Sequence, residues 1–190
     1  MSKPKTTTLR DGTKVFCLLK AEAAVLDFHV QGYMAHGIQV KKGDIIFDVG
    51  ANIGIFGVRA VQQAEDVQVF AFEPIPSIHK ALEANAKKFA PDRFHALPYG
   101  VSSEPGSMSF MYYPNSPAFS TSQPELWDDQ EELNRAVLGN IRNPPPHMWW
   151  MKWLPTFIAK WFAKRMRQGA QKVDAELRTV SQIIEEHQLP

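Results

Sequence analysis

Residues 45–54 read Ile-Ile-Phe-Asp-Val-Gly-Ala-Asn-Ile-Gly, and residues 69–74 read Val-Phe-Ala-Phe-Glu-Pro. Each stretch is a β-branched and aromatic run that meets an acid, Asp48 in the first and Glu73 in the second. Short apolar runs of this kind, bounded by turn residues, are the mark of strands buried on both faces. Gly50 and Gly54 flank Asn52 directly after the first run, and a helical pattern begins at Ile55. A strand, a tight glycine turn, a helix N-terminus and a second strand ending in an acid describe a nucleoside-binding βαβ unit.

The surrounding pattern extends this unit. Upstream, 9–19 reads as a hairpin turning at Asp11-Gly12, and 21–35 as a helix stopped by His36-Gly37. Downstream, 76–89 reads as a helix with Pro76 in its first turn and Ile78, Leu82 and Ala86 on one face. Residues 93–97 form a third short strand and 106–113 alternate like a strand with one exposed face. Helices are expected over 128–138, 155–168 and 178–188, with Asn143-Pro-Pro-Pro146 as a stiff linker. Strands alternating with helices imply an α/β fold with a parallel sheet and right-handed crossovers. Four segments result: 1–42, an N-terminal hairpin and helix; 43–122, the βαβαβ core; 123–175, a helical Trp-rich insertion; and 176–190, the start of a further αβ unit.

Composition bounds the rest. The chain has 190 residues, the size of one ordinary domain or part of a larger protein. A formal net charge of +1 gives no reason to expect nucleic acid as a partner. Cys17 is the one cysteine, so no internal disulfide forms and no Cys/His cluster has zinc spacing; no metal is expected. The polar, basic start from Met1 to Arg10 lacks the apolar centre of a secretory signal, and no stretch is apolar enough to span a bilayer. Together these point to a cytoplasmic protein.

The glycine turn constrains the ligand. A Cβ at Gly50 or Gly54 would obstruct the turn and the approach of a ligand to backbone. Glycines after a strand also make plain turns, but Glu73 lies 19 residues past Gly54, at the carboxyl end of the next strand. A carboxylate there accepts hydrogen bonds from a ribose diol. A pyrophosphate would favour Gly-x-Gly-x-x-Gly. Here Asn52 replaces the middle glycine and Asp48 precedes the turn, so a phosphate would be repelled and a cation welcomed. S-adenosylmethionine has the ribose, an ammonium, a sulfonium and no phosphate.

Asp-Val-Gly-Ala-Asn-Ile-Gly (48–54) with Ala-Phe-Glu-Pro (71–74) resembles the FkbM-type family of S-adenosylmethionine-dependent class I methyltransferases. Leu82-x-x-Asn85, Gly100-Val-Ser-Ser, the strand from Gly106 to Tyr113, Ser120-Thr121 and Leu177-Arg-Thr-Val-Ser181 add to the resemblance, which covers roughly 9–122 and 176–190. It implies a Rossmann-like fold in which Asp48, Gly50, Ala51, Asn52 and Gly54 form the methionine-side loop. Glu73 would hold the ribose hydroxyls, and Pro74 and Ile75 would shape the adenine side. It implies O-methylation of a small-molecule or carrier-bound natural-product hydroxyl. The family's fourth strand ends in a Lys-Ile-Asp-Val-Glu-Gly-like motif, absent here, and the expectation is a fold incomplete at the C-terminus whose first strand is an open sheet edge.

Trp149, Trp150, Trp153 and Trp161 crowd into the insertion. Phe157, Ile158, Trp161, Phe162 and Met166 are expected to share a helix stripe among Lys160, Lys164, Arg165 and Arg167. A core helix, a lid over the acceptor pocket, and a membrane-surface or partner contact through 147–168 all compete for this pattern. Methyl transfer needs positioning and at most one proton acceptor. His36, His79, His95 and His147 are available, and no catalytic residue is assigned. A dinucleotide-dependent oxidoreductase and a non-catalytic interaction module are the alternative functions.

Overall fold

A computed structural model describes residues 3–123, 139, 149, 152, 153 and 155–190. The helix expected over 128–138, the Pro-rich linker and His147 lie outside the described residues. The chain forms two units, Met1–Met108 with Asp174–Pro190, and Ser109–Val173.

The first unit opens with an antiparallel hairpin, β1 (Lys5–Thr8) and β2 (Lys14–Cys17), paired from Lys5↔Cys17 to Thr8↔Lys14. Asp11 closes its turn by accepting from the Thr13 N–H at 3.0 Å. Helix α1 (Lys20–Ala35) follows. Then come β3 (Ile45–Val49), α2 (Ile55–Gln63), β4 (Gln68–Phe72), α3 (Pro76–Phe89) and β5 (Phe94–Leu97). The three strands are parallel in the order β3-β4-β5, with Asp48 opposite Ala71 and Phe72 opposite Leu97. The mixed α/β architecture with a parallel sheet is compatible with a Rossmann-like fold. Among the described residues, β3 pairs with β4.

Alternation along β4 divides the core into two layers. Val69 and Ala71 face a cluster with Val58, Ala60, Leu82, Ala86 and Phe94, which joins α2 and α3 to the sheet. Phe70 and Phe72 face the other way and pack with Ile183, Ile45, Phe47 and Leu97. The ring of Phe47 stacks on Phe70 at 5.5 Å and on Phe72 at 6.1 Å. Both faces of β4 are therefore buried, which is why its sequence is uninterrupted by polar residues.

Polar contacts fasten the N-terminal segment to this core. Arg59 on α2 donates to the buried Asp27 of α1 at 2.7 Å and to Asp11 in the hairpin turn at 2.6 Å. Asn85 on α3 is fully buried. Its amide donates to Phe16 O at 2.9 Å and Ile53 O at 2.7 Å, and its oxygen accepts from Phe16 N at 2.7 Å.

The later strands correct the expected boundaries. β6 (Gly100–Val101), β7 (Gly106–Tyr112) and β8 (Gln171–Arg178) form a second sheet in the order β6-β8-β7. β6 and β8 are parallel, Gly100 opposite Leu177. Residues 171–175 thus belong to a strand and not to a helical insertion, and 178 ends that strand instead of starting a helix. The last helix is α5 (Val180–Glu186), opened by a capping box in which Thr179 and Gln182 exchange hydrogen bonds of 3.1 and 3.0 Å.

Within the second unit, Met111 and Thr121 form an antiparallel bridge around the 3₁₀ turn Pro117–Phe119. Helix α4 (Thr156–Arg167) is held at its C-terminal end by Asn115, whose amide donates to Arg165 O at 3.2 Å and Gln168 O at 3.0 Å. The expected apolar stripe divides there: Ile158 and Met166 are half-buried, whereas Phe157 and Trp161 are exposed.

Candidate cofactor site at the carboxyl edge of the parallel sheet

The turn after β3 is built from left-handed backbone. Gly50, Asn52 and Gly54 have φ of 75°, 51° and 80°. Glycine takes such angles freely, and Asn is the side chain that tolerates them best. Asn52 adds its own brace, its Oδ1 accepting from the Ile53 N–H at 2.8 Å. The N–H groups of Gly50 and Ala51 both donate to Phe72 O at 3.0 Å, folding the turn over the end of β4.

Glu73 sits where the two loops meet. Its N–H continues the sheet by donating to Leu97 O at 3.0 Å. One carboxylate oxygen accepts from Asn52 N at 3.2 Å and the other from Ile75 N at 2.9 Å. The loop after β3 and the loop after β4 are thus joined through a single side chain that is 5% exposed. Two of its four lone-pair positions are occupied, which leaves capacity for a bound diol.

Asp48 differs. It lies one residue before the end of β3, and its Oδ2 is buried without a hydrogen-bond partner. Burial pushes its pKa up to about 6. Glu73 is raised to about 7, chiefly by burial and further by the charge of Asp48, against the opposing hydrogen bonds from Ile75 and Asn52. Two carboxyls in a desolvated corner hold their negative charge poorly, and a cation placed among them would restore it. The orphaned oxygen and the paired acids fit a ligand with positive charge and a diol.

The structure brings Asp48, Gly50, Asn52, Glu73 and Ile75 to one edge, but not all through their side chains. Ala51 and Ile75 bury their side chains in the core, so Ile75 takes part through its N–H. Pro74 is half-buried between Glu73 and the helix start. Gly54 has a different reason from the one read in the sequence. A Cβ there would lie 2.5 Å from Leu82 Cδ1 and 3.0 Å from Phe94 Cζ, so its missing side chain makes room for the core, not for a ligand. Gly57 is equally constrained by Phe94. At Gly50 a Cβ meets nothing within 4 Å, and the positive φ alone selects glycine.

Sequence reasoning assigned Asn85 no role, yet it fixes the turn through the Ile53 carbonyl. Of the candidate bases, His36 is exposed, with its Nδ1 2.6 Å from Gly32 O. His95 stacks on Phe70 at 4.7 Å beside His187 at 5.6 Å, and burial lowers its pKa. His79, in the first turns of α3, has a buried Nε2 without a hydrogen-bond partner.

Three known proteins resemble the chain. It is 37% identical over 102 residues to the 31-O-demethyl-FK506 methyltransferase FkbM of Streptomyces tacrolimicus, covering 53% of this chain and 38% of that protein. It is 32% identical over 143 residues to the methyltransferase sdnD of Sordaria araneosa, covering 75% of this chain and 48% of that protein. It is 36% identical over 88 residues to the AMB antimetabolite synthetase AmbE of Pseudomonas aeruginosa, covering 46% of this chain and 4% of that protein. The chain thus spans less than half the length of each relative. No protein-family model and no solved structure matches it. By sequence, the chain is a relative of the FkbM-type methyltransferases.

Proposed function

We infer that the chain binds S-adenosylmethionine through 48–54 and 73–75 and serves a cytoplasmic methyltransferase that O-methylates a small-molecule or carrier-bound natural-product hydroxyl. The observation that carries this reading is the buried, unpartnered Asp48 oxygen beside Glu73, the carboxylate that joins the two loops. S-adenosylmethionine supplies a methyl group already activated on a sulfonium. Asp48 would balance the positive charge of the methionine end. Glu73, already fixed by two N–H donors, would accept from the ribose hydroxyls. Pro74 and the start of α3 would border the base. Both relatives named as methyltransferases support the activity, and the name of the Streptomyces protein supports an oxygen acceptor.

Calorimetric titration of the chain with S-adenosylmethionine and with NAD tests the reading. The expected result is binding of S-adenosylmethionine only, with protons released at pH 6.5 because a cation lowers the pKa of both acids. Asp48→Asn and Glu73→Gln should each weaken binding at least tenfold. Preferential binding of NAD, or full affinity in both variants, would overturn it.

A further inference from the structure

Between Leu133 and Val173 the sequence carries eight Lys and Arg and no Asp or Glu, in a chain whose net charge is only +1. The rest of the chain is correspondingly acidic, so one segment concentrates the cationic charge. The same segment displays aromatic surface. Trp149, Trp153, Phe157 and Trp161 are 62%, 80%, 71% and 57% exposed. Exposed large aromatics are depleted on ordinary soluble surfaces, and a row of them marks an interaction site.

Helix geometry gathers these features. Phe157, Trp161 and Lys164 stand at i, i+4 and i+7 of α4, on one face, with Arg165 beside them. The guanidinium of Arg165 lies 5.9 Å from the Trp161 ring centroid. Met166, half-buried, stands on the opposite side of the helix, and Ile158, also half-buried, borders the exposed face. Lys152 and Trp153 are exposed just before it. The exposed face therefore mixes rings with cations. An aqueous protein partner's core would have to desolvate those cations. A lipid interface does not, because the rings enter at the headgroup level while Lys and Arg extend to the phosphates. No described helix is long and apolar enough to cross a membrane.

From this we propose that α4 and the residues just before it dock the protein on an anionic lipid surface. The aromatic face lies in the interface and Lys152, Lys164 and Arg165 contact headgroup phosphates. This rests on the segment's own chemistry and is independent of the cofactor reading.

The test uses the full 190-residue chain and sucrose-loaded vesicles of phosphatidylcholine, with or without 30% (about one lipid in three) phosphatidylglycerol. Four of the five tryptophans lie between 149 and 161, so intrinsic fluorescence reports on this face. The expected result is co-sedimentation with the anionic vesicles, a blue shift of emission on binding, and release in high salt. Replacing Lys152, Lys164 and Arg165 with Gln should weaken binding about a hundredfold. W153S with F157S should abolish the blue shift, and circular dichroism identical to the parent shows that these exposed changes leave the fold intact. Absence of vesicle binding, or binding unchanged in either variant, would overturn the proposal. So would a dimer seen by light scattering that shields the same tryptophans without lipid, or capture of single-stranded DNA in place of vesicles.

Discussion

Replacing Asp48 with Asn should make the protein more stable and a worse cofactor binder. The perturbation removes a charge from a place where the fold disfavours it. Burial raises the Asp48 pKa from 3.8 to about 6, which corresponds to about 3 kcal/mol of discrimination against the ionised form. The folded state holds this proton more tightly than the unfolded chain. Its contribution to stability is therefore fully present below about pH 4 and lost as pH rises through about 6. Asn has nearly the same shape and never ionises. It introduces an amide N–H₂ where Oδ2 has no partner, at a cost of about 1 kcal/mol. The net gain at pH 8 is about 2 kcal/mol, a rise in Tm of roughly 4–8 °C for a domain of this size. At pH 5 the folded acid is largely neutral but the unfolded chain is still ionised, so the gain should shrink to about 0.5 kcal/mol, and below about pH 4 it should reverse. Scanning calorimetry of both proteins at pH 5 and pH 8, paired with S-adenosylmethionine titration at pH 8, checks the whole set. A Tm difference of the same sign and size at both pH values would refute the claim that Asp48 bears a desolvation cost. Higher stability with undiminished affinity would refute the claim that the cost serves a cation.

Three further outcomes follow from the packing around the site. Asn85→Ala leaves the Phe16 N–H and the Phe16 and Ile53 carbonyls without this partner, and should cost about 3–4 kcal/mol in urea unfolding at neutral pH. Gly54→Ala forces a side chain into left-handed backbone and against Leu82 and Phe94; its cost should be about 3 kcal/mol, read from the same assay, and larger than that of Gly50→Ala. Glu73→Gln should weaken S-adenosylmethionine binding and lower Tm at pH 5, with the loss shrinking toward pH 8, where removing the raised charge returns about 3 kcal/mol; at pH 5 the two neutralisations therefore have opposite effects on stability.

The βαβ core was legible because its signals are local. The apolar runs that begin at Ile45 and Val69 read as strands and 76–89 as a helix, and β3, β4 and α3 form there. Asp48, Asn52 and Glu73 were equally readable as an acid, a left-handed turn residue and a strand-end acid. What escaped was non-local. The Asn85–Phe16 hydrogen bonds span 69 residues, and no periodicity encodes them. The space denied to a Cβ at Gly54 comes from Leu82 and Phe94 on later elements, so the sequence supplied a turn and the fold supplied a second constraint. β8 was within reach. Val173, Ala175 and Leu177 alternate with Lys172, Asp174 and Glu176, a strand pattern hidden by its position after a helical segment.

The contrast between Asp48 and Glu73 is where structure adds most to the sequence reading. Both are acids at the ends of adjacent parallel strands, and burial raises both pKa values, to about 6 and about 7. Charge alone would predict that neutralising either one stabilises the protein. Hydrogen bonding separates them. Glu73 accepts from Asn52 N with one oxygen and from Ile75 N with the other. A carboxyl oxygen can accept even when the group is protonated, but an amide nitrogen cannot. In Glu73→Gln one backbone N–H must therefore face an N–H₂ group, and either orientation of the amide releases one of the two loops. Losing that buried pairing costs about 1–3 kcal/mol, and the donor–donor contact adds to it; this outweighs the roughly 1 kcal/mol that removing the raised charge returns at pH 5 and offsets the roughly 3 kcal/mol it returns at pH 8. Asp48 Oδ2 holds nothing, so the same chemistry there has little to break. The two acids thus differ in what holds them: Glu73 ties both loops together through its hydrogen bonds, whereas Asp48 bears a desolvation cost that a bound cation would relieve.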